Sequence, residues 1–291
     1  MASNSIDGIE LTDAKTGESF TNVPTNPGDI RVGDRGYCHA KEIGAVLSAD
    51  GNVIVRVNWQ ILSLEDAQGN KKPILGLPLP EMAGFIQEHP LWLNTLEGHF
   101  EVRLIILKLP QEATDKARSS LRRKYRKKGR QVSQKTLLAA GYIFVLTDLP
   151  LKEWPAEDIL KIYRFRWQIE LLIKRLKSIL RLDQIRSQSS ELTQVYILAK
   201  LLAALMIERC VRVIQISFPE HFSDPKRPIS LWRLIILLYE GLANTIRGLI
   251  TISMIINVFP KLQRFLCEPP RLRKQQLAIA KNFLAKFTSL S

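Results

Sequence analysis

The chain has 291 residues, enough to bury a core as one large domain or two ordinary ones, and its 46% hydrophobic content is that of a globular fold. A mean hydropathy of -0.03 argues against a membrane-embedded or a disordered chain. Lys and Arg number 42 against 28 Asp and Glu, a formal net charge of +14, so the expected partner is a polyanion: nucleic acid first, an anionic membrane surface second.

In chain order, the polar, acid-bearing Met1–Thr16 lacks the basic and apolar regions of a secretory signal. Alternation predicts a strand over Asp29–Asp34, a Gly36 turn, a short helix over Ala40–Leu47 and a second strand over Val53–Val57. From Gln60 to His99 the chain is rich in Pro and Gly, and it leads into a β-type run at Phe100–Leu109, so a β-rich insertion is expected. Lys116–Arg130 then carries nine basic residues and no acid, Arg122, Arg123 and Lys124 among them. Such a segment is either a solvated helix or a contact for phosphates, and the density of charge favours phosphates. Tyr142–Thr147 reads as a compact apolar strand, and from Pro155 onward helix is expected throughout, with breaks near 217–230 and 268–270. The apolar stretches Val195–Ile216 and Leu231–Val258 are interrupted by charges such as Lys200, Glu208, Arg233 and Glu240, which predicts buried amphipathic helices and not membrane spans. Cys38, Cys210 and Cys267 are too few for a disulfide framework or a thiolate zinc site and suit a reducing cytoplasm. His39, His89, His99 and His221 show no ligand spacing and are read as structural, and Trp59, Trp92 and Trp154 as core residues more than as bases' stacking partners.

The densest chemical signal lies in Tyr163–Lys177. At about 100° per residue, Tyr163, Arg166, Glu170, Lys174 and Lys177 fall on one stripe of a helix, and Ile162, Ile169, Ile173, Leu176 and Leu180 on another that can pack onto a sheet. One carboxylate is therefore set among three cations and a phenol on a face the core does not need. A solvated face with i,i+4 ion pairs is the plain account. The chemical account is that Glu170 holds a divalent metal while the cations and Tyr163 clamp phosphates beside it.

The spacing Tyr163-x2-Arg166-x3-Glu170-x6-Lys177 matches the Y-(2)-R-(3)-E-(6)-K signature of DDE transposases of the insertion-sequence-4 family, and Trp167 and Lys174 also fit its usual form. Gly33-Asp34-Arg35-Gly36-Tyr37 resembles the block around the second catalytic Asp of that family, at the end of a strand. The resemblance implies an α/β fold: an RNase H-like catalytic core, incomplete at its N-terminus, with a β-rich insertion and a helical C-terminal region. The expected segments are 1–58 (partial core with Asp34), 59–140 (insertion with the basic segment), 141–215 (remainder of the core with the signature helix) and 216–291 (helical). It further implies two Mg²⁺ ions held by an Asp-Asp-Glu triad, with Asp34 and Glu170 as catalytic metal ligands, and double-stranded DNA as substrate. Tyr163, Arg166 and Lys177 would contact DNA phosphates, with Trp167 and Lys174 in support, and Arg122, Arg123 and Lys124 would track its backbone. A homodimer on paired transposon ends and a bacterial cytoplasmic, nucleoid-associated location follow from the same resemblance. Asp7 and Asp13 do not follow an apolar strand and are read as loop residues, so the first Asp and its strand are expected to be missing, as in a truncated copy. The two functions to separate are metal-dependent cleavage and strand transfer at transposon ends, and a catalytically silent fragment that binds DNA or dimerises.

Overall fold

The computed structural model describes residue 17 and residues 19–181, 184–185, 187–222 and 229–267. Asp7, Asp13 and the C-terminal cations Arg271, Arg273 and Lys274 lie outside the described residues. The chain is a mixed α/β protein that divides after Arg166 into a sheet-bearing unit and a helical unit.

The first unit is organised by one seven-stranded sheet. Its strands are β1 (Ile30–Gly33), β2 (Asn52–Arg56), β3 (Leu64–Glu65), β4 (Lys71–Lys72), β5 (Ile86–Asn94), β6 (His99–Lys108) and β7 (Tyr142–Thr147), in the order β1-β2-β7-β6-β5-β3-β4. Only β1 and β2 are parallel, joined by the crossover helix α1 (Ala40–Ser48); every other pairing is antiparallel. The segment expected as an insertion contributes β3 to β6 to this same sheet, β6 pairing with β7 over six residue pairs.

Two readings from alternation do not survive. In β2, Val53, Ile54 and Val55 are all fully buried, because the strand lies between β1 and β7 with both of its faces covered. On one face Val53 and Val55 join a core with Leu104, Ile106, Phe144 and Leu146, capped by Ile43, Val46 and Leu47 of α1. On the other face Ile54, Ile105 and Val145 are equally buried. There the Arg103 guanidinium, which shares a face with Ile105, donates to the Trp154 carbonyl at 2.7 Å, just ahead of the long helix α4 (Ala156–Leu180). In β1 the alternation is absent altogether: Ile30, Arg31 and Val32 are each half-buried, and the strand is the sheet's edge.

β5 shows why a Pro-containing stretch escaped detection as a strand. Pro90 lies opposite Arg103 of β6, and the other side of β5 is registered with β3 only at Trp92 against Glu65. An imino nitrogen that cannot donate is tolerated where the neighbouring edge makes no demand on it. Between β6 and β7 run α2 (Gln111–Arg126) and the short α3 (Gln134–Ala139), so the basic segment is helical and begins five residues before Lys116.

The second unit is formed by the later part of α4 with α5 (Ser190–Ser217), α6 (Leu231–Ile246) and α7 (Ile252–Leu266). Its core gathers Leu180, Ile207, Ile214, Leu234, Leu238, Ile255 and Phe259. Leu180, expected on a sheet-packing stripe, belongs instead to this helical core; the side chains of Ile169, Ile173 and Leu176 lie outside the described residues. Two helix breaks went unread in the sequence. One separates α4 from α5, where Arg181 takes a positive φ of 49° and the Ser189 side chain caps α5 by accepting from the Leu192 amide. The other splits the apolar run Leu231–Val258 at Gly248, whose φ of 73° ends α6 in the left-handed region that glycine adopts without strain. Among the described residues no helix is long and apolar enough to cross a membrane.

Candidate active site

Asp34 stands one residue beyond β1, and Arg56 ends the parallel neighbour β2, so both lie at the carboxyl ends of the only parallel pair in the sheet. That is where open α/β sheets gather ligand-binding groups. The approach to Asp34 is tight. A Cβ on Gly33 would come within 2.6 Å of the Phe20 ring and 2.8 Å of Tyr37 Cβ, and these two aromatic rings stack at 4.7 Å. Gly33 thus serves the packing of Phe20 and Tyr37 beside Asp34.

Asp34 Oδ1 accepts the Gly36 amide at 2.7 Å and caps the single 3-10 turn Arg35–Tyr37. Its Oδ2 faces an Arg166 guanidinium nitrogen at 3.5 Å. Arg166 also lies over the Tyr163 ring, 5.7 Å from its centroid. Arg35 is held below the usual arginine range first by burial and then by the Arg56 charge, against the opposing pull of Tyr163, Cys38 and Asp34. Cys38 is buried, which pushes its thiol pKa up, and its Sγ accepts the Asn58 amide. The Tyr163 hydroxyl and Arg56 Nε are buried and find no hydrogen-bond partner among the described residues.

The structure therefore brings together Asp34, Tyr163 and Arg166 of the expected site, and adds Arg35 and Arg56. Arg166 faces the Asp34 carboxylate, and Arg35 lies within the influence of both Asp34 and Arg56, at a partly open strand end: the Asp34 side chain is 39% exposed and that of Arg166 21%. Such a cluster suits a phosphodiester better than a neutral ligand. Arg56 was missed in the sequence although a signal existed, a lone cation closing a run of three buried aliphatics. Arg35 was quoted only as part of its motif.

Tyr163 requires a correction. It is only 9% exposed, so the predicted stripe is not a uniformly open face. Ala156, Ile159, Leu160, Ile162 and Tyr163 are buried together, because the first turns of α4 are used by the sheet-bearing unit. Farther along the same helix Glu170, Lys174 and Lys177 are exposed, and Trp167 is 40% exposed; these four belong to the helical unit.

Asp34 offers the hard oxygen donors that a divalent cation prefers. Among the described residues, however, no three His, Cys, Asp or Glu side chains converge, so Asp34 supplies one donor and the described residues do not by themselves make up a divalent-metal site. Three of the four histidines have other contacts. His89 Nε2 lies 2.9 Å from the Pro78 carbonyl, His99 stacks on Trp92 and faces Glu65, and His221 sits among Phe218, Phe259 and Glu220.

Residues 11–206 match the family model described as a transposase DDE domain. The chain belongs to this family. It is 36% identical over 217 residues to the putative transposase InsL for insertion sequence element IS186A of Escherichia coli (strain K12), an alignment covering 72% of this chain and 58% of that protein. The transposase for insertion sequence element IS421 of Escherichia coli shows the same identity and coverage. The transposase for insertion sequence element IS231F of Bacillus thuringiensis subsp. israelensis is 26% identical over 147 residues, 49% of this chain and 31% of that protein. The chain thus spans 58% of the length of these two Escherichia coli relatives. In this DDE-domain protein the matched region takes in Asp34, the basic helix α2 and the whole signature helix α4.

Proposed function

We propose that this chain acts as an insertion-sequence transposase, cleaving and rejoining DNA phosphodiester bonds at the ends of its element, on an RNase H-like core. The observation that carries the reading is the cluster at the carboxyl ends of β1 and β2, where Asp34 is met by Arg166 of the signature helix, with Arg35 and Arg56 close by. Families of this kind depend on divalent metal, and Mg²⁺ is the ion proposed, with Asp34 and Glu170 as the carboxylates assigned to it on motif spacing. Mg²⁺ bound there would supply Lewis-acid stabilisation of the reacting oxygens.

The chain's own groups have separate tasks in this reading. Arg166, Arg35 and Arg56 balance the charge of a phosphate brought to the strand ends, in a setting where burial makes each ionic contact stronger than in water. Tyr163 presents a hydroxyl with hydrogen-bonding capacity to spare. Lys174 and Lys177, exposed farther along α4, with Trp167 beside them, take phosphates away from the reacting one. Arg122, Arg123 and Lys124 of α2 add sequence-independent affinity. Joining two ends requires them to be held together, and a homodimer is proposed on that ground.

The test is cleavage of a supercoiled plasmid carrying the element's ends, with Mg²⁺ or Mn²⁺. Glu170→Ala and Asp34→Asn should each reduce cleavage by more than the roughly 10- to 100-fold that loss of an outer-shell partner costs, while leaving DNA binding in place. Cleavage at the parental rate in both variants would remove these carboxylates from the chemistry. Binding without cleavage by the parental chain would instead identify a silent DNA-binding protein.

A further inference from the structure

We infer that the groove between α2 and α3 is a second DNA-backbone site, distinct from the strand-end cluster, in which Arg118, Arg122 and Lys135 hold phosphates flanking the reacting region. The inference rests on the reading of the chain as a DNA-acting protein and locates a contact that the sequence could only smear over fifteen residues.

The groove encloses about 430 Å³ and is lined by Arg118, Arg122, Gln134, Lys135, Leu137 and Leu138. Two of its cations are set apart from the other basic residues, and the acids of α2 do not neutralise them. Arg118 is half-buried and pinned, its Nε donating to the Leu137 carbonyl at 3.0 Å, so one guanidinium is held in place before any ligand arrives. Lys135 is the second residue of α3, the end of a helix where a positive charge is disfavoured, so helix stability gives no reason for it. By contrast Arg123, Lys124 and Arg126 occupy the last turn of α2, where they complement the helix dipole, so that their positions have a structural reason besides any diffuse attraction to DNA. The acids of α2 are spent elsewhere: Glu112 pairs with Lys116, and Asp115 accepts the Gln111 amide.

Helix geometry separates the two groups of cations. At about 100° per residue Arg118 and Arg122 lie within roughly 40° of each other, on the flank next to the buried Thr114, whereas Arg123 and Lys127 point to the far side. Arg122, Arg123 and Lys124, grouped by sequence, are therefore not one patch. Lys135 also borders a second cavity of about 500 Å³, whose wall includes Trp59, Lys71 and Lys72. A phosphate chain leaving the groove past Lys135 reaches a cavity that Lys71 also borders, as does Lys72, itself paired with Asp66; a polymer can use such a continuation and a free anion cannot. Leu137 and Leu138 give the groove an apolar floor suited to sugar rings and arginine stems.

The experiment measures binding of the full chain to a fluorescent 30-base-pair duplex of arbitrary sequence over a range of salt. Arg122→Gln with Lys135→Gln should weaken binding on the order of 10- to 100-fold at about 0.1 M salt and lower the salt slope by about 2. Arg123→Gln with Lys127→Gln removes the same charge from the outer face and should cost less than half as much on the logarithmic scale. Neither pair disturbs the Arg118 anchor, and unchanged melting temperatures establish that both variants fold. Equal losses from the two pairs would show diffuse attraction without a site, and no loss from the groove pair would dismiss it; either overturns the inference. Competition by inorganic phosphate beyond that of chloride at equal ionic strength would mark a free-anion pocket, and displacement of the duplex by phosphatidylserine vesicles would mark a lipid surface; both also overturn it. If the groove fails while Glu170→Ala still abolishes cleavage, only the groove is lost and the proposed function stands.

Discussion

Tyr163 separates what a residue does for the fold from what it does for the site. Its ring is buried, but its hydroxyl finds no partner among the described residues, and an unsatisfied buried hydroxyl costs about 1–3 kcal/mol of desolvation. Tyr163→Phe keeps the ring and removes that cost, so urea denaturation should find the variant as stable as the parent or up to about 1 kcal/mol more stable. Plasmid cleavage should fall in the same variant, because the phosphate loses a donor. A variant that loses stability together with activity would assign the hydroxyl to the fold. The sequence placed Tyr163 correctly in the motif but on the wrong kind of surface, because helix periodicity reports which residues share a stripe and not how far along the helix a neighbouring sheet extends. Arg56 escaped for a related reason. A lone cation closing an apolar run marks it locally, but its nearness to Asp34 comes from a parallel partner strand more than twenty residues away, which that local pattern does not announce.

At the scale of elements, strands were legible where pattern and composition agreed, and obscure where tertiary pairing decided. β7 coincides with its predicted bounds, and β6 is displaced by one residue. β3 and β4 have two residues each and carry no periodic signal, and β5 is hidden by Pro90. Helix existence was easier to read than helix ends, which rest on single residues such as Arg181 and Gly248. The junction of β2 and β7 makes a measurable prediction. The Asp148 carboxylate, just past β7, accepts the Val53 amide at 2.8 Å, and burial raises its pKa above the ordinary 3.8 in spite of that bond. In the unfolded chain the proton leaves at the ordinary value, so as pH rises from there through the folded-state value the native state retains protons the unfolded state has lost, and stability declines. Asp148→Asn keeps an acceptor for Val53 and abolishes the titration. The variant should therefore gain stability relative to the parent on going from pH 3 to pH 7, as read by chemical denaturation at each pH. A difference that stays flat across that range would mean that burial does not penalise this carboxylate.

At the scale of the molecule, composition anticipated a globular, nucleic-acid-directed chain, and the comparisons place it among DDE-domain transposases. What composition could not reveal is that the presumed insertion shares one sheet with the segments on both sides of it: β2 and β7, which flank it, pair with each other, and β6 within it pairs with β7. The strand β6 has partners on both sides, and Val102, Leu104, Ile105 and Ile106 within it are all buried. Its amides and those of β7 should consequently exchange with deuterium at the slowest rates in this unit and at a common rate, the signature of a single cooperative opening. If β5 and β6 exchanged far faster than β2 and β7, the two would be separate foldons. A shared opening event would mean that force or strain applied by DNA at the outer strands is borne by the whole sheet at once, so that the insertion responds as a stiff lever and not as a hinged flap.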